Sequence, residues 1–355
     1  MTTSTAVPVS VLLSRRDIPD HFTDTEHLEE FMSRPTQELI DDLVNAPGDI
    51  IILGVAGKMG VTLGRLLQRA VPDRRVIGVA RFSDTEARDK LESWGVETIA
   101  CDLLDRAAVD ALPKVPNVIY MAGLKFDAAG REDFLWAMNT LAPANVAEAY
   151  KDSRIVALST IHVYPWSNPA QGGVDENTAP RARPGEYANS VVGRERIFQY
   201  YSHRHGTPGR NVRFVYAIDT RYGVLQEIAD WVWNGVPIPL ETGMVNVMWQ
   251  GDAINHFARL LARTESPTTP INIGGPELVS VRHLATQFGE IFGTEPVFTG
   301  TETDCLVVNC EQAALELGNP YIPVRTMVRW VAEWTSAGKP TIGKPSKFQV
   351  RTGSF

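Results

Sequence analysis

An apolar strand that runs directly into evenly spaced glycines is the feature of this sequence that most constrains its fold. The glycines follow the apolar run at residues 50–53 and precede a helical leucine pattern: Gly54, Gly57 and Gly60, then Leu63, Leu66 and Leu67. Glycines at such a turn let the backbone approach a pyrophosphate, and the N-terminus of the following helix offers free N–H groups and a positive dipole end. The pattern predicts a dinucleotide-binding loop, with Lys58 and Met59 between its glycines also at the cofactor.

Short apolar runs alternate with helical stretches through the first part of the chain. The runs are residues 50–55, 75–80, 96–100, 117–122, 154–159 and 211–216. Alternation of this kind predicts a parallel sheet with helices on both faces, an α/β fold of the doubly wound Rossmann type. Continuously apolar strands are typical of a sheet that is covered on both faces.

The 355 residues are enough for this domain and a smaller lobe. We expect an N-terminal helical extension at residues 1–48, an NAD(P)-binding Rossmann domain at 49–215 with returning segments near 245–275, a smaller substrate-binding lobe mainly at 216–335, and a C-terminal tail at 336–355. Ser33 is expected to cap a helix in the N-terminal extension, which ends near Asn45. The sequence assigns no chemistry to the tail.

Charge and cysteine content exclude several classes of function. Thirty-four Lys and Arg against 42 Asp and Glu give a net charge of −8, so nucleic acid is not an expected partner. Three cysteines cannot all pair, and no second ligand pair lies near Cys305 and Cys310, so we expect neither a disulfide framework nor a metal site. No segment approaches the ~20 apolar residues of a membrane span, and the apolar run at 9–13 precedes its arginines, the reverse of a secretory signal. We therefore expect a cytoplasmic protein without a membrane partner.

The end of the second predicted strand bears on the cofactor. Ala80 is followed there by Arg81. A site for NAD commonly places Asp or Glu at this point, whereas an arginine accommodates the 2′-phosphate of NADP. The sequence therefore favours NADP over NAD, and Lys58 would add positive charge near the phosphates.

Together with the glycine loop, a series of short motifs resembles the extended short-chain dehydrogenase/reductases, the NAD(P)-dependent epimerase/dehydratase family, over roughly residues 49–335. The motifs occur in family order: Cys101-Asp102-Leu103, Met121-Ala122-Gly123, Asn139, Leu158 to Tyr164, Glu186-Tyr187, Arg213, Asp252 and Asn272 to Gly275. The resemblance implies that Asp102 and Leu103 border the adenine, that residues 121–123 lie near the nicotinamide ribose, and that Asn139 also belongs to the cofactor site. It further implies a homodimer, formed through helices such as those near Asn139 and Tyr187.

The resemblance also implies the chemistry of hydride transfer between a sugar carbon and the nicotinamide. Tyr187 would contact the cofactor and exchange the hydroxyl proton, while Thr160 would hydrogen-bond the reacting oxygen. Ser159 is expected to be buried structure.

One residue departs from the family's Tyr-x-x-x-Lys pattern, because Val191 stands where the lysine belongs. A valine can neither bind the nicotinamide ribose nor favour tyrosinate by its charge. Arg194, on the same helix face as Tyr187, and Lys125, beyond the fourth strand, are the candidates to restore that charge. We expect Lys125 at both the catalytic and the substrate site, since ligands bind beyond the carboxyl ends of the strands; the alternative is a solvated loop lysine.

The residues after Thr160 point away from dehydration. The family's sugar-nucleotide dehydratases have Asp-Glu there, and this chain has Ile161 and His162. Elimination of water by that route is therefore not expected. His162 is either a structural histidine or a substitute acid/base that contacts the substrate.

Two further departures concern the family's sugar-nucleotide substrates. Val245, seven residues before Asp252, stands where the family often has an arginine that binds the diphosphate, and Val215-Tyr216 replaces the usual asparagine step. We therefore expect a small-molecule carbohydrate, a free sugar, sugar acid or lactone more than a nucleotide sugar, with Tyr216 at the substrate. A carboxylate on it would meet positive groups such as Arg181, Arg183 or Arg221, each of which has surface charge as its alternative role.

The sequence thus predicts an NAD(P)-dependent oxidoreductase or epimerase that acts on a carbohydrate. The alternative is a dinucleotide-binding regulatory protein that kept the fold and lost catalysis together with the lysine.

Overall fold

The computed structural model describes residues 12–125 and 130–353. The apolar run at 9–13 therefore lies mostly outside the described residues. Within them, the helices are α1 (Thr25–Met32), α2 (Gln37–Val44), α3 (Gly60–Ala70), α4 (Glu86–Ser93), α5 (Arg106–Ala111), α6 (Glu132–Trp136), α7 (Ala142–Ala149), α8 (Glu186–His205), α9 (Val224–Trp233), α10 (Gln250–Arg259), α11 (Val281–Phe292), α12 (Glu311–Leu317) and α13 (Val324–Ser336). A π-helical turn, Ala137–Leu141, joins α6 to α7.

A parallel sheet forms the centre of the molecule. Its strands are β1 (Ile50–Leu53), β2 (Val76–Ala80), β3 (Glu97–Ala100), β4 (Asn117–Tyr120), β5 (Arg154–Leu158), β6 (Gly209–Phe214) and β11 (Thr269–Ile273), in the order β11-β6-β5-β4-β1-β2-β3. The short strands outside it are β7 (Tyr216–Ile218), β8 (Ile238–Pro239), β9 (Met244–Val245), β10 (Val247–Trp249), β12 (Val279–Ser280) and β13 (Phe298–Thr299). The predicted Rossmann-type α/β fold is confirmed, and the six predicted strands match to within two residues.

Both faces of the sheet are covered. Along β1, Ile50 and Ile52 join the apolar core on one face, and Ile51 and Leu53 join the core on the other. All four side chains are inaccessible to solvent, which explains why the strand is continuously apolar. The chain order reverses at β1, between β2 and β4, so a crevice opens beyond the carboxyl ends of these strands, where ligands bind in such sheets.

The N-terminal extension differs in detail from the sequence-based expectation. Ser33 does not cap a helix; it follows the end of α1, and its hydroxyl donates to the Glu29 carbonyl at 2.7 Å. Thr36 caps α2 by accepting from the Leu39 N–H. The reason is Pro35, which disfavours helical geometry at the residue before it and delays the second helix.

A second apolar core, built from α1, α9, α11 and α13, lies in the smaller lobe. Strand β11 returns from it to the edge of the main sheet beside β6. After α13, the tail runs without regular helix or strand to residue 353. The domain boundaries given above remain a prediction.

Other expectations concern cysteines, metals and membranes. Cys101, Cys305 and Cys310 are buried and free. In the part of the chain that the structure describes, no three His, Cys, Asp or Glu side chains are grouped to hold a metal ion. No helix among the same residues combines the length and apolarity that crossing a membrane requires.

Candidate functional site

The glycine loop between β1 and α3 brings the backbone close to the neighbouring strand. Gly54 has φ +97°, and a Cβ there would lie 2.5 Å from the Ala122 amide nitrogen. A Cβ on Gly60, which begins α3, would collide with the Val55 carbonyl. The Met59 side chain makes no cap hydrogen bond to α3, so that helix presents backbone N–H groups at the loop. Only glycine fits two of the three positions, and the resulting turn suits a pyrophosphate.

A long cleft runs from this loop over the carboxyl ends of β2, β3 and β4. It is lined by Gly54, Ala56, Gly57, Ala80, Arg81, Phe82, Ser83, Asp84, Ala87, Cys101, Asp102, Leu103, Met121, Ala122, Gly123 and Met138. Eight residues that the sequence analysis assigned to the cofactor lie here together: Gly54, Gly57, Arg81, Asp102, Leu103, Met121, Ala122 and Gly123. The cleft therefore extends from the glycine loop to the residues that follow β2 and β3, an arrangement that fits a dinucleotide.

Asn139, in contrast, lies behind the cleft. Its side chain is fully buried, accepts from the Leu124 N–H at 3.0 Å, and donates to the Leu124 carbonyl and the Ser190 hydroxyl, each at 2.9 Å. It therefore ties the loop that carries Lys125 to α8. The prediction that Asn139 binds the cofactor is not supported by these contacts; burial behind the loop gives it a positioning role.

A second pocket adjoins the cleft where β5 and β6 end. It is lined by Lys58, Met59, Lys125, Ser159, Thr160, Ile161, His162, Tyr187, Phe214, Val215, Tyr216, Ala217, Tyr222, Gly223, Val224, Gln250 and Ser346. Tyr187 and Thr160, the predicted reacting pair, both line it, close enough for the Thr160 hydroxyl to lower the pKa of Tyr187. The Lys125 ammonium lies 5.7 Å from the centre of the Tyr187 ring. The structure thus brings together Lys125, Thr160, His162, Tyr187 and Tyr216 from four separate segments of the chain.

The electrostatic environment of Tyr187 combines opposing effects. Burial raises its pKa, whereas the positive charge of Arg194 and the hydrogen bond from Thr160 lower it. Arg194 is held by bonds to the Leu158 carbonyl at 2.9 Å and to the Asn139 amide oxygen at 2.5 Å. Val191, at the missing lysine's position, is fully buried in the apolar core. Of the two candidates for replacing that lysine, Arg194 is the one whose charge acts on the Tyr187 pKa in this structure.

Lys58 and Met59 face the second pocket, although the sequence analysis placed them at the cofactor phosphates. The Lys58 ammonium lies 3.3 Å from the centre of the Tyr222 ring, a cation–π contact that directs it toward the lobe. Burial and the nearby Lys344 charge lower the pKa of Lys58 to about 8. Burial and the neighbouring Lys58 lower the pKa of Lys125 to about 7. The pocket thus holds two interacting lysines.

His162 is held by Arg183, whose guanidinium donates to the ring Nδ1. Because Nδ1 accepts, the proton of the neutral imidazole lies on Nε2. Burial and the charges of Lys125 and Arg183 keep the pKa of His162 well below its usual value. Of the two predicted roles, the structure therefore favours a neutral, fixed histidine over an acid/base.

Several family-like residues form a structural network beside the pocket. Buried Arg213 pairs with Glu195 at 2.8 Å and donates to the Tyr164 hydroxyl at 2.7 Å. The Tyr164 hydroxyl donates to Asn272 at 2.8 Å, and Ser159 donates to Glu195 at 2.5 Å. These contacts fix β5, β6 and β11 at the ends that carry the pocket. Ser159 belongs to this network, but it is half-buried and also lines the pocket, so it is not simply buried structure.

Sequence reasoning missed Tyr222, Gln250 and Ser346 in the pocket and Asp84 in the cofactor cleft. These residues come from loops, a helix start and the tail, where no pattern marks them. The three arginines that the sequence analysis offered to a substrate carboxylate have different surroundings. Arg183 is buried at the pocket, Arg181 is exposed, and Arg221 is paired with Asp219 and Glu29.

Comparison with known proteins bears on this arrangement. Residues 50–218 match the model of the NAD dependent epimerase/dehydratase family. Curated proteins gave no match to the chain.

Solved structures with the same fold share little sequence with it. MoeE5 in complex with UDP-glucuronic acid and NAD is 22% identical with a TM-score of 0.66, covering 82% of this chain and 100% of its own. The UDP-glucose 4-epimerase of Thermus thermophilus, in complex with NAD, is 18% identical with a TM-score of 0.66, covering 80% and 98%. The UDP-glucuronic acid 4-epimerase of Bacillus cereus, in complex with UDP-glucuronic acid and NAD, is 17% identical with a TM-score of 0.66, covering 81% and 99%. At these identities the likeness establishes the fold alone.

Proposed function

We propose, because residues 50–218 of this chain belong to the NAD-dependent epimerase/dehydratase family, that the protein is an NAD(P)-dependent epimerase or dehydrogenase of a carbohydrate. The observation that carries the proposal is the placement of Tyr187 and Thr160 together in the lining of a pocket beside the glycine-loop cleft. A hydroxyl-bearing carbon placed there would lie between a proton acceptor and the cofactor cleft.

The described residues fit the cofactor, since Gly54 and Gly60 allow the tight turn from β1 into α3 that brings a helix N-terminus to the place where a pyrophosphate would bind. A bound nicotinamide supplies hydride acceptance and return. The chain itself supplies the proton path: Thr160 holds the substrate oxygen, and Tyr187 takes up and returns its proton. Arg194 lowers the Tyr187 pKa, while Lys125 lies where it can bind substrate or ribose hydroxyls. We infer that these two residues divide the functions of the missing lysine.

The finer identity of substrate and cofactor is part of the same proposal. A free sugar, sugar acid or lactone is favoured because Val245 and Val215 offer a diphosphate no charge. Arg81 in the cofactor cleft favours NADP, against Asp84 in the same cleft and the NAD bound by the similar structures. The three free cysteines fit a reduced, cytoplasmic location.

The homodimer is supported by apolar side chains that the fold leaves outside. Trp136, Leu141 and Tyr200 are 37%, 51% and 58% exposed. They lie on α6, the π-helical turn and α8, the helices that the family resemblance pointed to. A second copy of this surface would cover them.

The test is Tyr187→Phe, assayed by nicotinamide absorbance and by sugar NMR against free sugars, sugar acids, lactones and UDP-sugars. We expect turnover to fall at least ~100-fold, because the proton transfer loses its acceptor. The affinity for NAD or NADP should stay within about threefold, since the phenol oxygen contributes little to cofactor binding. Tyr201→Phe, at a half-buried tyrosine on the same helix that does not line the pocket, is the matched control and should change neither quantity.

A regulatory protein that binds a dinucleotide without turnover is the second candidate. The observation that favours it is the apolar burial of Val191 in place of the catalytic lysine. It predicts cofactor binding, no turnover on any carbohydrate of the panel, and no functional consequence of Tyr187→Phe.

A further inference from the structure

The C-terminal tail returns to the pocket after α13. The Ile342 N–H donates to the Arg221 carbonyl at 3.0 Å, and the Ser346 hydroxyl donates to Glu227 at 2.8 Å, with a second bond from the Ser346 backbone N–H to the same carboxylate. Ser346 is 4% exposed and lines the pocket directly. The tail is therefore part of the site's wall.

Beyond Ser346 the tail packs against the lobe and against one residue that lines the pocket. Phe348 is 2% exposed, its ring 5.7 Å from that of Trp231 and 6.5 Å from that of the pocket residue Tyr216. The Phe348 carbonyl accepts from the Thr242 hydroxyl. An aromatic anchor buried to this degree holds the segment in place by removing its apolar surface from water.

The end of the tail contacts both the lobe and the loop that carries Trp166. The Arg351 guanidinium donates to the Glu241 carbonyl at 2.9 Å on the lobe and stacks 3.7 Å from the centre of the Trp166 ring. Arg183, which holds His162, stacks on Trp166 as well, at 4.0 Å. The tail thus spans from the lobe to the loop that carries Trp166, and it would occupy the path of a nucleotide whose sugar enters the pocket from this side.

The charge of the pocket lining bears on which class of ligand the pocket binds. Among the described lining residues the basic side chains are Lys58 and Lys125, and none is a carboxylate. Hydroxyl groups of Thr160, Ser346 and three tyrosines surround them. Glu227, behind the tail, is within electrostatic reach of both lysines, and burial raises its pKa, which weakens its neutralising effect. An anion with several hydroxyl groups matches such a lining.

We infer that residues 342–353 form a wall of the substrate pocket, and that the pocket so closed takes a monosaccharide acid, its carboxylate bound by Lys58 and Lys125, and excludes nucleotide-linked sugars. The inference rests on the proposed function for the location of the pocket. It goes beyond it in assigning the tail a role in specificity and in naming the acidic substrate class.

The experiment compares matched acidic and neutral probes by calorimetry on intact protein, with and without bound NAD. The pairs are D-glucuronate and D-glucose, D-galacturonate and D-galactose, and D-gluconate and D-glucitol, with UDP-glucuronic acid as the nucleotide-linked probe. At least one acid should bind about tenfold or more tightly than its neutral partner, and UDP-glucuronic acid about tenfold more weakly than that acid. Lys125→Met should remove the acid preference, whereas Lys151→Met, at an exposed lysine, should keep it.

A chain ending at Pro340 tests the tail. Its preference for the free acid over UDP-glucuronic acid should fall about tenfold or more, with NAD affinity within about threefold of that of the intact chain. Phe348→Ala, which loosens the tail without removing it, should move the preference in the same direction, and Thr341→Ala, at an exposed tail position, should not.

Three results would overturn the inference: no acid preferred over its neutral partner, UDP-glucuronic acid bound by the intact chain more tightly than any free acid, or unchanged preference in both tail variants. Failure of the proposed function is a separate observation, because it appears as absent NAD binding or absent turnover, while the probe comparison is also made without NAD.

Discussion

The cofactor cleft and the substrate pocket lie side by side at the same edge of the sheet, yet they are built differently. The cleft is shaped by backbone: strand ends, a glycine turn and a helix N-terminus. The pocket is shaped by side chains from distant segments, among them Lys58 of the glycine loop, Lys125 beyond β4, Tyr222 of the lobe and Ser346 of the tail. A backbone site tolerates sequence change outside its glycines, whereas a side-chain site can change its ligand by a few substitutions.

The largest expected effect on the cofactor cleft comes from a substitution at Gly54. Gly54→Val places a β-branched residue at φ +97° and within 2.5 Å of the Ala122 amide. We expect NAD and NADP affinity to fall at least ~100-fold, a loss of ~2.7 kcal/mol or more. Fluorescence titration of the purified variant measures the affinity.

Gly57→Ala is the matched control in the same loop. A Cβ at Gly57 meets only the Gly54 carbonyl, at 3.5 Å, which is ordinary contact. This variant should retain the fold and lose less than about tenfold in affinity. Equal losses in the two variants would show that side-chain size at the phosphates, and not backbone geometry, determines binding.

The division of the lost lysine's functions predicts a second difference. Without the Arg194 charge the pKa of Tyr187 rises further, because burial already raises it. Oxidation of a substrate hydroxyl requires the tyrosinate, so the rate's rising limb should move to higher pH in Arg194→Met, with roughly a tenfold loss of turnover at neutral pH. The pH–rate profile is the readout, and Arg194→Lys should partly restore it.

Lys125→Met is the variant to compare with Arg194→Met. We expect it to bind substrate more weakly and to leave the rising limb of the pH–rate profile at its original pH. If the rising limb shifts in Lys125→Met and stays in place in Arg194→Met, the roles are reversed, and Lys125 is the residue that lowers the Tyr187 pKa. If Lys125→Met leaves binding and turnover unchanged, Lys125 is the solvated loop lysine of the alternative interpretation.

The sequence predicted the backbone-shaped cofactor cleft better than it predicted the pocket, which is shaped by side chains. The strands and the glycine loop were readable because buried parallel strands and a phosphate turn impose local patterns. Thr160 and Tyr187 were found through their spacing from motifs of known order. Tyr222 and Ser346 were missed because their approach to the pocket depends on how the lobe and the tail pack. Lys58 shows a success and a failure of sequence reasoning. Its segment was recognised as the glycine loop, but the direction of its side chain depends on Tyr222, 164 residues later.

The pocket should also respond to pH in a way that the cleft does not. Lys125, with a pKa of about 7, binds a carboxylate best when protonated, a state present below that pKa and lost as pH rises through it. Acid-probe affinity should therefore fall up to about tenfold per pH unit above 7, more steeply where Lys58 titrates near 8. The groups that act electrostatically on Lys125 are Lys58, Arg183, Glu227 and Lys347, and His162 stays neutral in this range. Calorimetry in buffers of different ionisation enthalpy should show proton uptake, and a pH-independent affinity would contradict a carboxylate at Lys125.

The smallest expected effect lies in the cleft, at the two residues that favour different cofactors. Arg81 is exposed at the end of β2, so its attraction for a 2′-phosphate is screened by water and salt. Arg81→Ala should lower the NADP-to-NAD affinity ratio by roughly five- to tenfold at low salt, and Asp84→Ala should raise it by less, since that carboxylate already accepts from the Glu86 N–H at 3.0 Å. Parallel titrations at two salt concentrations separate the charge effect, which salt weakens, from a steric one. If the NADP-to-NAD affinity ratio is unchanged in Arg81→Ala, Arg81 does not bind the 2′-phosphate. Asp84 then remains in the cleft beside it, and its carboxylate favours NAD.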